Sequence, residues 1–233
     1  MINFYGQSVI GFKHVELKKK NQDSFLVKNK RNYSLGIVCD GLGSKKYSKY
    51  GSKTLCKVIN SNAHSINNEN FDILYFIKDI TNKWLKKTKF LGSSNCDSTC
   101  LFALANDKIC YLCQLGDGLV SCIADEKLYI LQNKEDDFIN ETISIYKSKT
   151  NKWIIKKVDI KERKLSHIFM TTDGISNDLI ENTLHLFIKE ICDEVCTDKK
   201  YNKNKKLKKI IESLPNINNK DDKTIVIGKI YGN

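Results

Sequence analysis

The period of apolar and polar positions changes several times along the chain, and those changes predict its elements. Residues 3–12 alternate weakly and predict a first strand. Residues 24–27 and 33–39 are short apolar runs. They flank the polar turn Lys28-Asn-Lys-Arg-Asn32, which predicts a hairpin. Asp40-Gly-Leu-Gly43 reads as a turn. From residue 45 to about 65, Tyr47, Tyr50, Thr54, Leu55, Val58 and Ile59 fall at helical spacing. Residues 71 to about 90 repeat this with Leu74, Ile77, Ile80, Trp84 and Leu85 on one side, until Gly92-Ser-Ser-Asn95 breaks the pattern.

The period then becomes strand-like. Residues 99–105, 109–115, 119–123 and 127–131 are short runs separated by turns at Asn106-Asp107, Gly116-Asp117-Gly118 and Asp125-Glu126, which predict an antiparallel meander. Residues 142–146 and 153–160 continue the β pattern, and 165–171 form a strand ending at Asp173-Gly174. Leu184, Phe187, Ile188, Ile191 and Val195 mark a helix. Leu207, Ile210, Ile211 and Leu214 mark another, stopped by Pro215, and 224–230 close the chain as a strand. Helices and strands are segregated rather than alternating, which excludes a doubly wound parallel sheet. The predicted class is α+β: an antiparallel β-sandwich of two sheets flanked by helix pairs. With no repeat, no Gly/Ser linker and a single proline, residues 1–233 read as one domain.

Hydrophobic residues are 41% of the chain, enough for a sizeable core, and charged residues are 28%. No apolar run approaches the ~20 residues needed to span a bilayer. The first residues show no basic segment leading into an apolar one, so no signal peptide is expected, nor any lipid anchor. A cytoplasmic protein with no membrane partner is the expectation. The nine cysteines sit mostly in apolar runs, as in Ile37-Val-Cys39, which suits reduced core thiols. A zinc set of Cys96, Cys100, Cys110 and Cys113 is the competing reading.

The net charge of +12 raises nucleic acid as a partner, but only Arg31 and Arg163 are arginines, so base-reading forks are almost absent and no nucleic-acid partner is expected. The lysine runs at 18–20 and 199–209 read as solvated faces, or as a docking surface for an acidic or phosphorylated partner.

The aspartates carry the candidate chemistry. Asp40 and Asp173 each follow an apolar strand and precede a glycine. Asp117 lies between two glycines, Asp23 opens the second strand, and Asp221-Asp222 opens the last. Any one of them alone is ordinary turn chemistry. Together they sit at the rim of the sheets. If they converge, carboxylates ~4 Å apart repel by about 4 kcal/mol per pair at an effective dielectric near 20, and must bind protons or hard cations. An oxygen-only set without clustered histidines suits Mg²⁺ or Mn²⁺.

Six motifs occur in order: Asn21-Gln-Asp23, Ile37-Val-Cys-Asp-Gly-Leu-Gly-Ser44, Asp97-Ser-Thr99, Gly116-Asp117-Gly118, Met170-Thr-Thr-Asp-Gly-Ile175 and Asp221-Asp-Lys-Thr224. Together they resemble the PP2C family of metal-dependent serine/threonine phosphatases in its compact bacterial branch, from residue 4 to the end. The resemblance implies hydrolysis of phosphoserine and phosphothreonine on proteins by a water activated between two Mn²⁺ or Mg²⁺ ions. It implies that Asp40 bridges both ions, that the Gly41 carbonyl binds the second, and that Asp173 and Asp221 hold the first. It implies that Asp117, with Asp173, forms a weaker third site and that Asp23 orients water without touching metal. Ser98 and Thr99 would be structural. The implied partners are a phosphorylated protein and a cognate serine/threonine kinase.

Four positions depart from the family pattern. Lys18 stands where an arginine clamps phosphate and offers a point charge without the fork. Gln22 replaces an acid, Leu42 stands where animal enzymes carry a histidine, and Asp222 stands where asparagine is usual, a place suited to capping the strand; Gln22 and Asp222 are expected around the metal site without touching an ion. His14 is either a substitute proton donor or a structural histidine. No implied metal ligand is lost, so an active enzyme is expected. The alternative is a catalytically weak module that binds a phosphorylated partner. The Cys-x5-Arg loop of cysteine-based phosphatases is absent.

Overall fold

The computed structural model describes residues 1–131, 143–148, 152–197, 202–215 and 220–230. Among them, ten strands build two five-stranded antiparallel sheets. The first sheet runs β1 (Ile2–Val9), β10 (Lys223–Ile230), β9 (His167–Thr171), β6 (Leu119–Ala124), β7 (Lys127–Ile130). The second runs β2 (Ser24–Asn29), β3 (Ser34–Cys39), β4 (Cys100–Ala105), β5 (Ile109–Leu115), β8 (Ile154–Asp159). The helices are α1 (Phe12–Glu16), α2 (Ser48–Asn62), α3 (Ile73–Thr88), α4 (Asp173–Ser176), α5 (Glu181–Thr197) and α6 (Lys203–Ser213).

Strand alternation sorts the core into three layers. In β3 and β4, Leu35, Ile37, Cys39, Cys100, Phe102 and Leu104 pack under α2 and α3, where Trp84 donates its indole N–H to the Gly51 carbonyl. Their neighbours Val38, Leu101 and Ala103 point the other way, into the space between the sheets, against Met170 and Val226. Phe169, Ile225 and Ile227 face out from the first sheet onto Leu184, Ile188 and Leu207 of α5 and α6. A strand covered on both faces must be apolar at every position, which is why these central runs read as continuous hydrophobics. The expected sandwich with helix pairs on its outer faces is what the chain forms.

Three expectations are corrected. The first strand ends at Val9 rather than residue 12, and Phe12–Glu16 turn into α1. A Cβ on Gly11 would lie 2.2 Å from the Asp221 carbonyl carbon, and the Gly11 N–H binds the Asp222 side chain, so the ladder stops where β10 begins. The meander is not one sheet. After β5 the chain crosses to the other sheet, where β6 pairs with β7 and β9. Gly116 (φ +84°) and Gly118 (φ +112°) adopt backbone that side-chain-bearing residues avoid, and make that crossing. Residues 143–148 form no strand. The Asp97 carboxylate takes the Tyr146 N–H and the Ser144 hydroxyl, so this stretch is held as a loop; Thr142 lies outside the described residues. Of the lysine run at 199–209, residues 199–201 also lie outside them, and the rest falls largely on α6.

All nine cysteines are buried free thiols. Cys110 faces the space between the sheets while Cys96, Cys100 and Cys113 face the α2–α3 side, so the four cannot meet around a zinc ion. Among the described residues no helix is long and apolar enough to cross a membrane.

Candidate active site

Strand register pairs the aspartates within each sheet, and the hydrogen bonds of Asp23 to Thr172 and Thr224 join the two sets. Ser24 pairs with Cys39 in the β2–β3 ladder, so the next pair is Asp23 and Asp40. Leu119 pairs with Thr171 between β6 and β9, so two residues further Asp117 stands opposite Asp173. Val9 pairs with Lys223, which puts Asp221 and Asp222 beside Gly11 at the same end. Five segments far apart in sequence thus deliver carboxylates to one edge of the sandwich.

Their electrostatics record the convergence. Burial, above all, lifts the Asp40 carboxyl to about 7; the charge of Asp173 adds to this, and Asp221 and Asp222 add more. Asp173 is raised by burial and then by Asp221 and Asp117. Asp23 is raised well above the usual carboxylate range, chiefly by burial and then by Asp40. A hydrogen bond between Asp23 and Asp40 favours the proton on Asp23, because it raises that carboxyl and lowers its neighbour. The other face of Asp23 accepts the hydroxyls of Thr224 (2.6 Å) and Thr172 (2.9 Å).

Asp40 is fixed through its backbone. Its N–H donates to Thr99 Oγ1 (3.0 Å), and its carbonyl accepts from Ser98 Oγ (2.7 Å) and the Thr99 N–H (2.8 Å). Gly41 bridges to Ser98, and the Leu42 N–H donates to the Asp97 carbonyl. Ser98 and Thr99 are therefore structural, as expected, and they clamp the turn that presents Asp40. The buried Asp97 side chain anchors that clamp from beneath, a role the sequence reading missed. Its position in the Asp97-Ser-Thr99 motif was the available signal.

Asp222 does more than cap a strand. Its buried carboxylate accepts from the Gly11 N–H (2.8 Å), the Gln22 N–H (2.6 Å) and His14 Nδ1 (2.8 Å). This fixes the His14 proton on Nδ1 and makes that buried histidine a brace. His14, Asp221 and Asp222 offer ligand atoms within 4.8 Å of one another, a spacing that fits a cation, but the hydrogen bonds already occupy both oxygens of Asp222. Gln22 thus meets the site through its backbone. Lys18 is exposed, in left-handed backbone (φ +52°) after α1, with no ion pair among the described residues.

An oxygen-only group of partly buried carboxylates, in which the charges of its neighbours raise the proton affinity of Asp40 and Asp173, fits hard divalent cations.

A family model described as protein phosphatase 2C matches residues 10–212. No curated protein sequence matches the chain. Among solved structures, the serine/threonine phosphatase Stp1 from Staphylococcus aureus superposes with a TM-score of 0.68 at 16% identity, covering 100% of this chain and 96% of that one. The catalytic domain of the phosphatase PstP, in complex with two manganese ions, gives 0.67 at 13% identity and 99% of both chains. RsbX in complex with magnesium gives 0.64 at 14%, covering 99% of this chain and 96% of the other. At such identities the structural likeness is one of fold. The family match spans most of the chain, and the carboxylate edge lies inside that fold: the chain belongs to the protein phosphatase 2C family.

Proposed function

We propose that the chain hydrolyses phosphoserine and phosphothreonine in proteins, using Mn²⁺ or Mg²⁺ held by its aspartate edge. The observation that carries this reading is that, beyond burial, Asp40 is raised by Asp173 and Asp221, and Asp173 in turn by Asp221 and Asp117. Partly buried carboxylates arranged this way are unfavourable unless protons or cations compensate them. Asp40 would be shared between two ions, with the Gly41 carbonyl beside it. Asp173 and Asp221 complete the first site, and Asp117 with Asp173 makes a weaker third. When bound, such ions supply an activated water and take up charge on the phosphoryl oxygens. The manganese in PstP and magnesium in RsbX support the choice of ion.

The chain's own groups have separate work. Asp23, without touching an ion, holds a proton against Asp40 and is aimed by Thr172 and Thr224. Asp222 and His14 brace the strand end that carries Asp221. Exposed Lys18 would offer the substrate phosphate a point charge. The substrate is a phosphoprotein made by a serine/threonine kinase.

The test is Mn²⁺-dependent hydrolysis of p-nitrophenyl phosphate and of a phosphothreonine peptide. Asp40→Asn and Asp173→Asn should each lower it by at least about 100-fold, the upper range for losing even an outer partner of a metal. Wild-type rates in both variants would overturn the assignment. Absence of Mn²⁺ binding below millimolar, with phosphopeptide binding retained, would favour a binding module instead.

A further inference from the structure

A groove of about 450 Å³ opens beside the aspartate edge and is lined by Lys19, Lys20, Lys45, Lys46 and Lys49 together with Gln22. It adjoins the site: the Gln22 N–H binds Asp222, and Gly43, two residues beyond Gly41, forms part of its wall. Lys49 also lines a second groove, shared with Asn21, Asp23, Lys53 and Lys57. Lys49, Lys53 and Lys57 recur every four residues, so they stack along one face of α2 and continue the basic track away from the acids.

No carboxylate lines the first groove. From Gly41 to Asn68 there is no acidic residue. Among the described residues none of the five groove lysines pairs with a carboxylate, whereas Lys83, Lys208 and Lys229 all do. Lys46 lies over the Tyr47 ring. The lysines also gather at the positive end of α2, whose first turn carries no acid, where cations weaken a helix. Placing positive charge there is unfavourable for the fold, and an anionic ligand would relieve it.

We propose that this groove binds an acidic segment of the phosphoprotein substrate, a run of aspartates or glutamates flanking the phosphorylated residue. The proposal rests on the phosphatase reading of the adjoining aspartates and names which phosphoproteins that site selects. Charge complementarity argues for the occupant, and continuity with the site argues for its position. With a phosphoresidue at the acids, an extended chain advances ~3.3 Å per residue, so its near neighbours reach the lysines. The groove lining contains no arginine and no aromatic ring, so it lacks the forks and stacking platforms of a nucleic-acid channel.

Three proteins decide the matter: wild type, the groove variant Lys20→Gln/Lys46→Gln/Lys49→Gln, and a variant with the same loss of charge on α6, Lys205→Gln/Lys208→Gln/Lys209→Gln. Wild type should favour a phosphothreonine peptide flanked by glutamates over one flanked by glutamines by about 10-fold in kcat/KM at low salt, an effect of steering and complementarity that fades at high salt. The groove variant should show a preference near one, and the α6 variant should keep it. Fluorescence anisotropy of unphosphorylated glutamate and glutamine peptides gives a readout free of turnover, and should show the same ranking. Equal binding of both peptides to wild type, or loss of the preference only in the α6 variant, would overturn the proposal. So would an oligonucleotide that binds the groove more tightly than the glutamate peptide. If p-nitrophenyl phosphate is not hydrolysed but the groove variant alone loses the glutamate peptide, the groove stands and the phosphatase reading falls. Hydrolysis without peptide preference gives the reverse.

Discussion

Asp222 shows how one atom of difference can redistribute roles in a site. Its two oxygens accept three donors that come from residues 11, 14 and 22. Asparagine has one carbonyl oxygen, so Asp222→Asn must turn its amide toward either Gly11 or the Gln22–His14 side. The His14 ring can change tautomer and accept, but a backbone N–H cannot. A buried donor left without a partner costs about 1–3 kcal/mol. For a chain of this size each kcal/mol shifts Tm by about 2–4 °C, so thermal unfolding should show a drop of several degrees. An unchanged Tm would mean that the three-donor brace contributes nothing. The doubled aspartate at 221–222 is visible in the sequence, and its second member reads as a strand cap near the metal site, not as a three-donor brace. Hydrogen bonds between residues 200 or more positions apart leave no local pattern, because they depend on where two strand ends meet. The same holds for Asp97, whose partners Ser144 and Tyr146 come from a loop that itself reads as a strand.

Elements were legible where one physical cause dominates. The continuous apolar runs of β3 and β4 follow from burial on both faces, and the two N-terminal helices follow from their 3.6-residue period. Which sheet a strand joins is not encoded in its own alternation, and this is why β6 reads as the next strand of a meander. The information lies in the two residues with left-handed backbone, Gly116 and Gly118, that flank Asp117. Gly116→Ala would force a Cβ to 2.3 Å from the Ile143 carbonyl at φ +84°. Denaturant unfolding should show a loss of more than about 2 kcal/mol from strain and overpacking together. Gly43→Ala meets only Gln22 Oε1, at 3.7 Å, and should stay within about 0.5 kcal/mol. Equal effects from the two substitutions would show that the sheet crossing tolerates side chains, and would undercut the geometric reason for placing Asp117 opposite Asp173.

Across the whole molecule, the site is a local opponent of folding, and this makes it measurable without substrate. Asp40 titrates near 7 in the folded chain against an ordinary value of 3.8, and Asp23 and Asp173 are also raised. The folded state therefore holds protons that the unfolded chain releases. Their contribution is fully favourable below the ordinary carboxylate range and is lost as pH rises through the folded value near 7. Metal-free protein should become less stable from pH 5 to pH 8 on this account. A divalent cation takes the protons' place, so its binding releases them and strengthens with pH. At pH 8, Mn²⁺ at 100 times its Kd adds about 2.7 kcal/mol, or roughly 5–10 °C in Tm, and the increment should shrink toward pH 5. The other carboxylates and the +12 net charge also titrate or repel, so the comparison that isolates the site is with Asp40→Asn. That variant removes one of the opposed charges. It should be more stable than wild type when metal-free at pH 8, gain less from Mn²⁺, and show a flatter dependence on pH between 5 and 8. A variant that is less stable at pH 8 and responds fully to Mn²⁺ would mean that Asp40 does not share a repulsive cluster. The register-derived convergence of the aspartates would then have no energetic consequence.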